Sequence, residues 1–273
     1  MDRKNKRLGI FDSGIGGLSV LKVLVEKAPH IDVIYFGDVK NAPYGEKNQE
    51  ELKDLTKNGV KILLENGAKN ILSACNSIST FMIKDDLKEL SKENFEIVEM
   101  IKPTVEKFSK SWVQCTQQNK IIIFATPATI ESQTYQNNFE KKGIKINTFA
   151  IPELAGAIEF GESENKIKNI VERVVSTATR SVAVETALLC CTHYPFAKDF
   201  FEEAFEKLNK KVKIYDPAEA VVEETIKKFN LQGPERCFFQ KGKIKFLISQ
   251  DSPIFRKKVV ELFSNFDYSI EII

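Results

Sequence analysis

Two short segments carry the residues best suited to chemistry. Asn70-Ile-Leu-Ser-Ala-Cys75-Asn76-Ser77 and Glu185-Thr-Ala-Leu-Leu-Cys190-Cys191-Thr192-His193 share one form: an apolar strand, a cysteine, two hydrogen-bonding residues, then a helix. A thiol becomes a useful base or nucleophile when its pKa is lowered, as a helix N-terminus or a neighbouring cation can do. Taken singly, either cysteine is better explained as an inert core thiol. Two at equivalent places, each followed by polar residues that a core would not select, favour the functional reading. His193, close to Cys191, suits proton management. His30, in Ala28-Pro-His-Ile31 at a helix-to-strand turn, is expected to be exposed and idle. Cys190 falls just inside its strand and is expected in the core. Cys115 and Cys237 fall in a loop and a hairpin and are expected to be incidental.

Three further segments bear on chemistry. Asp12-Ser-Gly-Ile-Gly-Gly-Leu-Ser19 follows the first strand and opens a helix, so its N–H groups suit an anion. The dinucleotide fingerprint is missing because Ser19 stands at its third glycine, and no Gly-Lys-Ser/Thr makes a P-loop. A small carboxylate ligand fits the turn, and so does a plain turn capped by Asp12 or Ser13. Ala42-Pro43-Tyr44-Gly45 follows the second strand; its Pro and Gly are ordinary turn chemistry, and Tyr44 by itself reads as packing. Glu159 sits on the mostly apolar segment 154–160. It faces either solvent or the crevice, and the sequence slightly prefers solvent.

Short apolar runs must position these groups. They occur at Leu8–Phe11, Val33–Phe36, Asn70–Ala74, Glu96–Met100, Lys120–Ala125, Ile144–Ala150, Thr186–Cys190 and Val212–Tyr215. Between them lie segments of helical period, such as Leu18, Leu21, Leu24 and Val25, or Phe196, Phe200, Ala204 and Leu208. Residues Arg236–Ser249 alternate around Lys241-Gly242 and predict a hairpin, followed by a helix through Phe255, Val259, Leu262 and Phe263 and a strand at Ser269–Ile273. This order calls for an α/β fold of mostly parallel sheets, with a (β/α)8 barrel as the alternative. Ligands then sit at the carboxyl ends of the strands, which places the two thiols around one crevice.

The chain has 273 residues, enough for two domains, and 42% hydrophobic with 29% charged residues is ordinary for a globular protein. Forty basic against 38 acidic residues leave a net charge of +2, too balanced for an overall nucleic-acid footprint. Met1–Arg7 has the charge of a signal n-region, but the apolar stretch behind it stops at Phe11. No apolar run approaches the roughly 18 residues of a spanning helix. A soluble, cytoplasmic protein is expected. Five cysteines argue against a disulfide framework, and two histidines without a CxxC argue against zinc.

Taken together, the motifs resemble the glutamate racemase family, within the aspartate/glutamate racemase superfamily. The matching blocks are Gly9-Ile-Phe-Asp-Ser-Gly-Ile-Gly-Gly-Leu-Ser-Val-Leu21, Tyr35-Phe-Gly-Asp38 with Pro43-Tyr-Gly45, and Ala74-Cys-Asn76. Ala125-Thr-Pro-Ala-Thr129 with Ser132 and Tyr135, Cys191-Thr-His-Tyr-Pro195 and Asp216 follow in family order. The resemblance implies two flavodoxin-like open parallel-sheet domains related by a pseudo-two-fold axis, with the active site in the cleft between them. Residues 1–98 with 214–273 would form the Cys75 side, and 99–213 the Cys191 side. One thiolate would remove the α-proton of glutamate and the opposite thiol would return one, with Asp12, Glu159 and His193 assisting. Asp12, Ser13, Pro43, Tyr44, Gly45, Asn76, Ser77, Thr126, Thr129, Thr192 and His193 would contact the substrate. The resemblance also implies a homodimer that supplies D-glutamate for peptidoglycan and uses neither metal nor cofactor.

Elementary chemistry agrees with that implication. Racemisation through a planar carbanion needs a base on one face and an acid on the other. Free thiols titrate near about 8.5, so a working pair holds one thiolate and one thiol that exchange roles with substrate handedness. The chain departs from the family pattern at Ser77, usually Thr, at Ile78-Ser-Thr80, usually Ala-Ser-Ala, and at Ala125, usually Gly. Cys190 also replaces a usual Gly, adding bulk beside the crevice and a vicinal thiol. Aspartate racemase and a non-catalytic amino-acid-binding relative are the alternatives. A one-base lyase is disfavoured by the second thiol, and a redox protein by the absence of CxxC spacing.

Overall fold

The computed structural model describes residues 7–81, 87, 90, 94–112, 120–180, 182–233 and 241–273. Among them, ten strands form two wholly parallel sheets. The first joins β1 (Leu8–Asp12), β2 (Val33–Gly37), β3 (Asn70–Ser73), β4 (Glu96–Val98), β9 (Lys243–Ile248) and β10 (Asp267–Ile272) in the order β10-β9-β2-β1-β3-β4. The second joins β5 (Ile121–Ala125), β6 (Asn147–Ala150), β7 (Thr186–Cys190) and β8 (Lys213–Tyr215) in the order β6-β5-β7-β8. Two open sheets replace the barrel alternative.

The first arm of the hairpin expected around Lys241-Gly242, residues 236–240, lies outside the described residues. Its second arm is β9, both of whose edges are taken by parallel partners, β2 and β10. Alternation within β9 reflects its place in the sheet rather than a turn back on itself. The polar segment that ends β8 also matters to the chain's course. Lys213–Tyr215 pairs with β7, so the chain returns to the first sheet after Tyr215.

Burial on both faces explains why the central strands read as continuous apolar runs. Leu8 and Ile10 of β1 face one core, and Phe11 faces another beneath the helix Gln49–Glu65. In β7, Ala187, Leu189 and the following Cys191 join the first core, whereas Leu188 and Cys190 join a third. The first core runs through both sheets, from Ile10 and Phe246 to Phe124 and Phe201. The helix Ala218–Lys228 adds a bridge by packing on the helices Leu18–Lys27 and Ile101–Trp112. A shared core of this kind leaves no compositional boundary to find.

Local signals set the helix starts. Asn48 and Glu51 form a reciprocal capping box on Gln49–Glu65. Thr126 and Ser252 cap helices whose first residues are Pro127 and Pro253. Among the described residues, no helix is long and apolar enough to cross a membrane.

In both sheets the strand order reverses beside a central strand, with β1 between β2 and β3 and β5 between β6 and β7. Crevices form at such points, at the carboxyl ends of the strands. Leu63 carries the cover of the first sheet, since it is fully buried against Gly9 of β1. Leu63→Ala is expected to cost about 2–5 kcal/mol in urea unfolding. Lys61→Ala, which removes only an exposed ion pair with Glu65 on the same helix, is expected to cost under about 0.5 kcal/mol.

Candidate active site

Cys75 lies two residues beyond β3 and Cys191 directly beyond β7, each at the carboxyl end of its sheet. Both line one narrow cleft. Ser13, Pro43, Tyr44, Gly45, Asn76, Ser77, Thr126, Ala155, Thr192 and His193 complete its wall. Ala155, on the helix Pro152–Glu159, is the one wall residue that the sequence did not signal. A methyl side chain carries no chemistry, so only its tertiary position reveals it.

Asp12, Glu159 and Thr129 stand behind that wall. Thr126 Oγ1 lies 3.0 Å from both Thr129 Oγ1 and Ser77 Oγ, and Ser77 Oγ is 3.5 Å from Thr129 Oγ1. These three hydroxyls join the first unit to the second. Glu159 is 2% exposed, so the solvated face expected of it is wrong. Its Oε2 accepts from His193 Nε2 at 2.6 Å and from the Ile15 N–H at 2.9 Å. The contact partners come from elsewhere in the chain, which is why local periodicity did not show them.

The glycine-rich turn likewise serves the protein's own carboxylates. Asp12 Oδ1 accepts the Gly14 N–H at 2.9 Å, and Glu159 takes that of Ile15. These two N–H groups are thus taken by the protein's own carboxylates, while the helix that follows has Gly17 at its N-cap and no side-chain cap. Asp12 Oδ2 also accepts from Thr192 Oγ1 at 3.1 Å, while Ser19 Oγ donates to the Thr192 carbonyl at 3.0 Å. Space between the units is tight there. A Cβ on Gly16 would lie 2.5 Å from His193 Nδ1 and Thr192 Oγ1. Glycine is what lets His193 reach the turn.

Burial shapes the electrostatics. It raises the Asp12 carboxyl to about 6, against the opposing pull of His193. Burial also pushes the Cys75 thiol well up, reinforced by the Asp12 charge and by Cys191. For His193, burial works downward, but the contacts with Cys191 and Glu159 prevail and hold the imidazole well above its ordinary value. Its Nδ1 lies 3.8 Å from Cys191 Sγ, close enough to share a proton with sulfur. A carboxylate, an imidazole and a thiol thus run in line from the first unit's turn to the cleft.

Other expectations resolve as follows. Tyr44 does more than pack, since its hydroxyl donates to Asp38 Oδ2 at 2.5 Å while its ring walls the cleft. Asp38 also accepts from Asn41 and Ser249, which pins the Pro43-Tyr44-Gly45 segment. Cys190 is buried in the third core and points away from the cleft face that Cys191 shares, so it adds no bulk beside the crevice. His30 is half-buried rather than exposed, with Nε2 3.2 Å from the Leu231 carbonyl. Cys115 and Cys237 lie outside the described residues.

No protein-family model matches the chain. Curated relatives and solved structures do. A glutamate racemase of Lactobacillus helveticus is 33% identical over 249 residues, 90% of this chain and 89% of that protein. Glutamate racemase 3 of Caldanaerobacter subterraneus is 35% identical over 249 residues, covering 89% of this chain and 85% of its own. The structure of a Francisella tularensis glutamate racemase in complex with D-glutamate superposes with a TM-score of 0.81 at 26% identity, over 99% of this chain and 98% of that one. These relatives make the chain, with its two parallel-sheet units, an isomerase of the amino-acid racemase class. Within that class, the chain belongs to the glutamate racemase family.

Asp12 yields a test of the site's electrostatics. Its folded value of about 6 stands above the ordinary 3.8, so its contribution to stability is complete below pH 3.8 and is lost as pH rises toward 6. Asp12→Asn keeps an acceptor for Gly14 and removes the charge. Relative to the parent, this variant is expected to gain on the order of 1–3 kcal/mol between pH 4 and 7 and nothing further above pH 7, read from denaturation midpoints. A stability difference that does not change with pH would show that burial does not govern Asp12.

Proposed function

We propose that the protein interconverts L-glutamate and D-glutamate without a cofactor, with Cys75 and Cys191 as the two bases. The observation that carries this reading is that two thiols, from equivalent strand ends of opposed sheets, line one narrow cleft. The Francisella relative's D-glutamate complex supports the substrate class. Aspartate is the alternative substrate that the experiment below separates.

The chemistry needs one proton removed and one returned. A thiolate on one face takes the α-proton, and the electron pair stays on the carbon, delocalised into the adjacent carboxylate. The thiol opposite then gives its proton to the other face. Substrate and product differ only in handedness, and the two sulfurs have exchanged protonation states. Glutamate in the reverse sense restores them. This scheme is complete with two groups and calls for neither a metal nor a carbonyl cofactor.

His193 and Glu159 serve Cys191, since Nδ1 faces sulfur while Nε2 is held by the carboxylate. Asp12 acts on Cys75 through its field and on Thr192 through a hydrogen bond. Ser13, Asn76, Ser77, Thr126 and Thr192 offer donors to the substrate carboxylates, with Thr129 behind Thr126. Pro43, Tyr44 and Gly45 close the wall and exclude water, which strengthens every interaction inside. The division into residues 1–98 with 214–273 and 99–213 is kept except at its second boundary, which moves past Tyr215 so that all of β8 stays with β7 in the second unit. In the cell this activity fits a cytoplasmic homodimer that provides D-glutamate for peptidoglycan.

Circular dichroism of L-glutamate, D-glutamate, L-aspartate and D-aspartate tests the reading, using reduced protein and no added cofactor. Both glutamate signals are expected to decay to zero and both aspartate signals to persist. Cys75→Ser and Cys191→Ser are each expected to slow decay by about 10²–10⁴-fold in both directions, the usual worth of a positioned acid or base. A single variant with near-parental rates would end the two-base mechanism. Ser77→Thr keeps the hydroxyl that meets Thr126 and adds a methyl at the cleft wall. Its glutamate turnover is expected to be unchanged or higher, and a switch toward aspartate would refute the assignment of this wall.

A further inference from the structure

Tyr135 lies on the helix Thr134–Glu140 of the second unit and is fully buried. Its ring stacks with Phe139 in the third core, which accounts for the ring but not for the hydroxyl. That hydroxyl crosses to the first unit and donates to Asn76 Oδ1 at 2.7 Å. Asn76 follows Cys75 and lines the cleft. With Oδ1 taken, its remaining polar atom is Nδ2, which is buried and has no hydrogen-bond partner among the described residues. A buried amide donor without an acceptor is costly, and an acceptor brought by a ligand relieves that cost.

A side-chain amide can turn over and exchange its donor and acceptor ends with little change of shape. Its sense is therefore set by what lies behind it. Cys190 Sγ is within hydrogen-bonding reach of the Tyr135 hydroxyl. Burial pushes both groups well up, so both keep their protons. A neutral tyrosine hydroxyl has one proton to give, and here it goes to Asn76, so the amide oxygen faces Tyr135. The arrangement runs from the Tyr135 hydroxyl to Asn76 Oδ1. It ends with Nδ2 as the group offered to the cleft.

We infer that Tyr135 is a positioning residue whose hydroxyl holds the Asn76 side chain so that Nδ2 meets a carboxylate oxygen of the substrate. The carboxylate rests on the function proposed above; the orientation rests on the contacts just described. Such a donor is neutral and fixed, and its fixing is supplied by the unit that does not carry Asn76. Tyr135 thereby makes substrate binding on the Cys75 side depend on the second unit.

A double-mutant cycle tests this with Tyr135→Phe, Asn76→Ala and the combined variant. The readouts are the Kd of D-glutamate by titration calorimetry, KM and kcat, and Tm. Each single variant is expected to raise Kd and KM about tenfold, the size of one oriented hydrogen bond, with kcat moved less. The combined variant is expected to bind no more weakly than Asn76→Ala alone, because Tyr135 acts through Asn76. A Tyr135→Phe protein that loses Tm but keeps the parental Kd, or whose effect adds in full to that of Asn76→Ala, would overturn the inference. If that happens while the parent racemises glutamate, the inference falls and the proposed function stands. A parent that binds no glutamate overturns both.

Discussion

Glu159 Oε2 accepts two hydrogen bonds at once, from His193 Nε2 at 2.6 Å and from the Ile15 N–H at 2.9 Å, and so ties the two units where their strand ends meet. Much of the site depends on this close approach. It brings the turn after β1 against the segment after β7, and it orients the imidazole toward Cys191. The approach is possible only over bare backbone, since a Cβ on Gly14 would lie 2.2 Å from Glu159 Oε1. The glycines of the turn therefore serve the contact between units, and the N–H groups they expose bind carboxylates of the protein itself. Ser19, Thr192, Ser77 and Thr126 extend the same polar seam across the boundary.

The seam has an electrostatic consequence for the thiols. Cys75 is pushed up by burial and by the Asp12 charge and so holds its proton, whereas Cys191 has an imidazole within reach of its sulfur. The sulfurs are equivalent in position but not in surroundings. In the proposed reaction the two directions therefore begin from differently supported thiols, and Asp12 and the His193–Glu159 pair supply the difference. Asp12 itself is poised near neutrality at about 6, so its charge changes over the pH range in which the thiols are asked to work.

Much of this was legible in the sequence because strand ends are local features. An apolar run that closes on Cys-Asn-Ser or Cys-Thr-His announces both a buried strand and polar groups at its mouth. What escaped depends on partners far away in the chain. Glu159 sits in an apolar helical stretch whose burial comes from a turn more than a hundred residues earlier. The second arm of the supposed hairpin, β9, lies parallel to β2 near the start of the chain, and no local pattern reports a parallel partner at that distance. Cys190 is the instructive intermediate. Strand alternation already required it to face away from Cys191, and only the structure shows that the far side holds Tyr135.

The makeup of the cleft wall bears on why thiols can serve as bases here. None of the described residues that line it is Lys or Arg; the donors are hydroxyls, the Asn76 amide and His193. His193, whose imidazole is held well above its ordinary value, is the cation among them, with Nδ1 3.8 Å from Cys191 Sγ. The neutral donors bind a carboxylate without adding further charge, and in a water-poor cleft they retain strength that solvent would otherwise dilute. Such donors must be held in place, because each contributes through direction rather than charge. The hydrogen bonds behind the wall do that holding. Asp38 fixes Tyr44, Thr129 meets Thr126, and Tyr135 fixes Asn76. A site whose wall carries neither Lys nor Arg has to rely on the shell behind its donors for order, and in this chain that shell is drawn from both units.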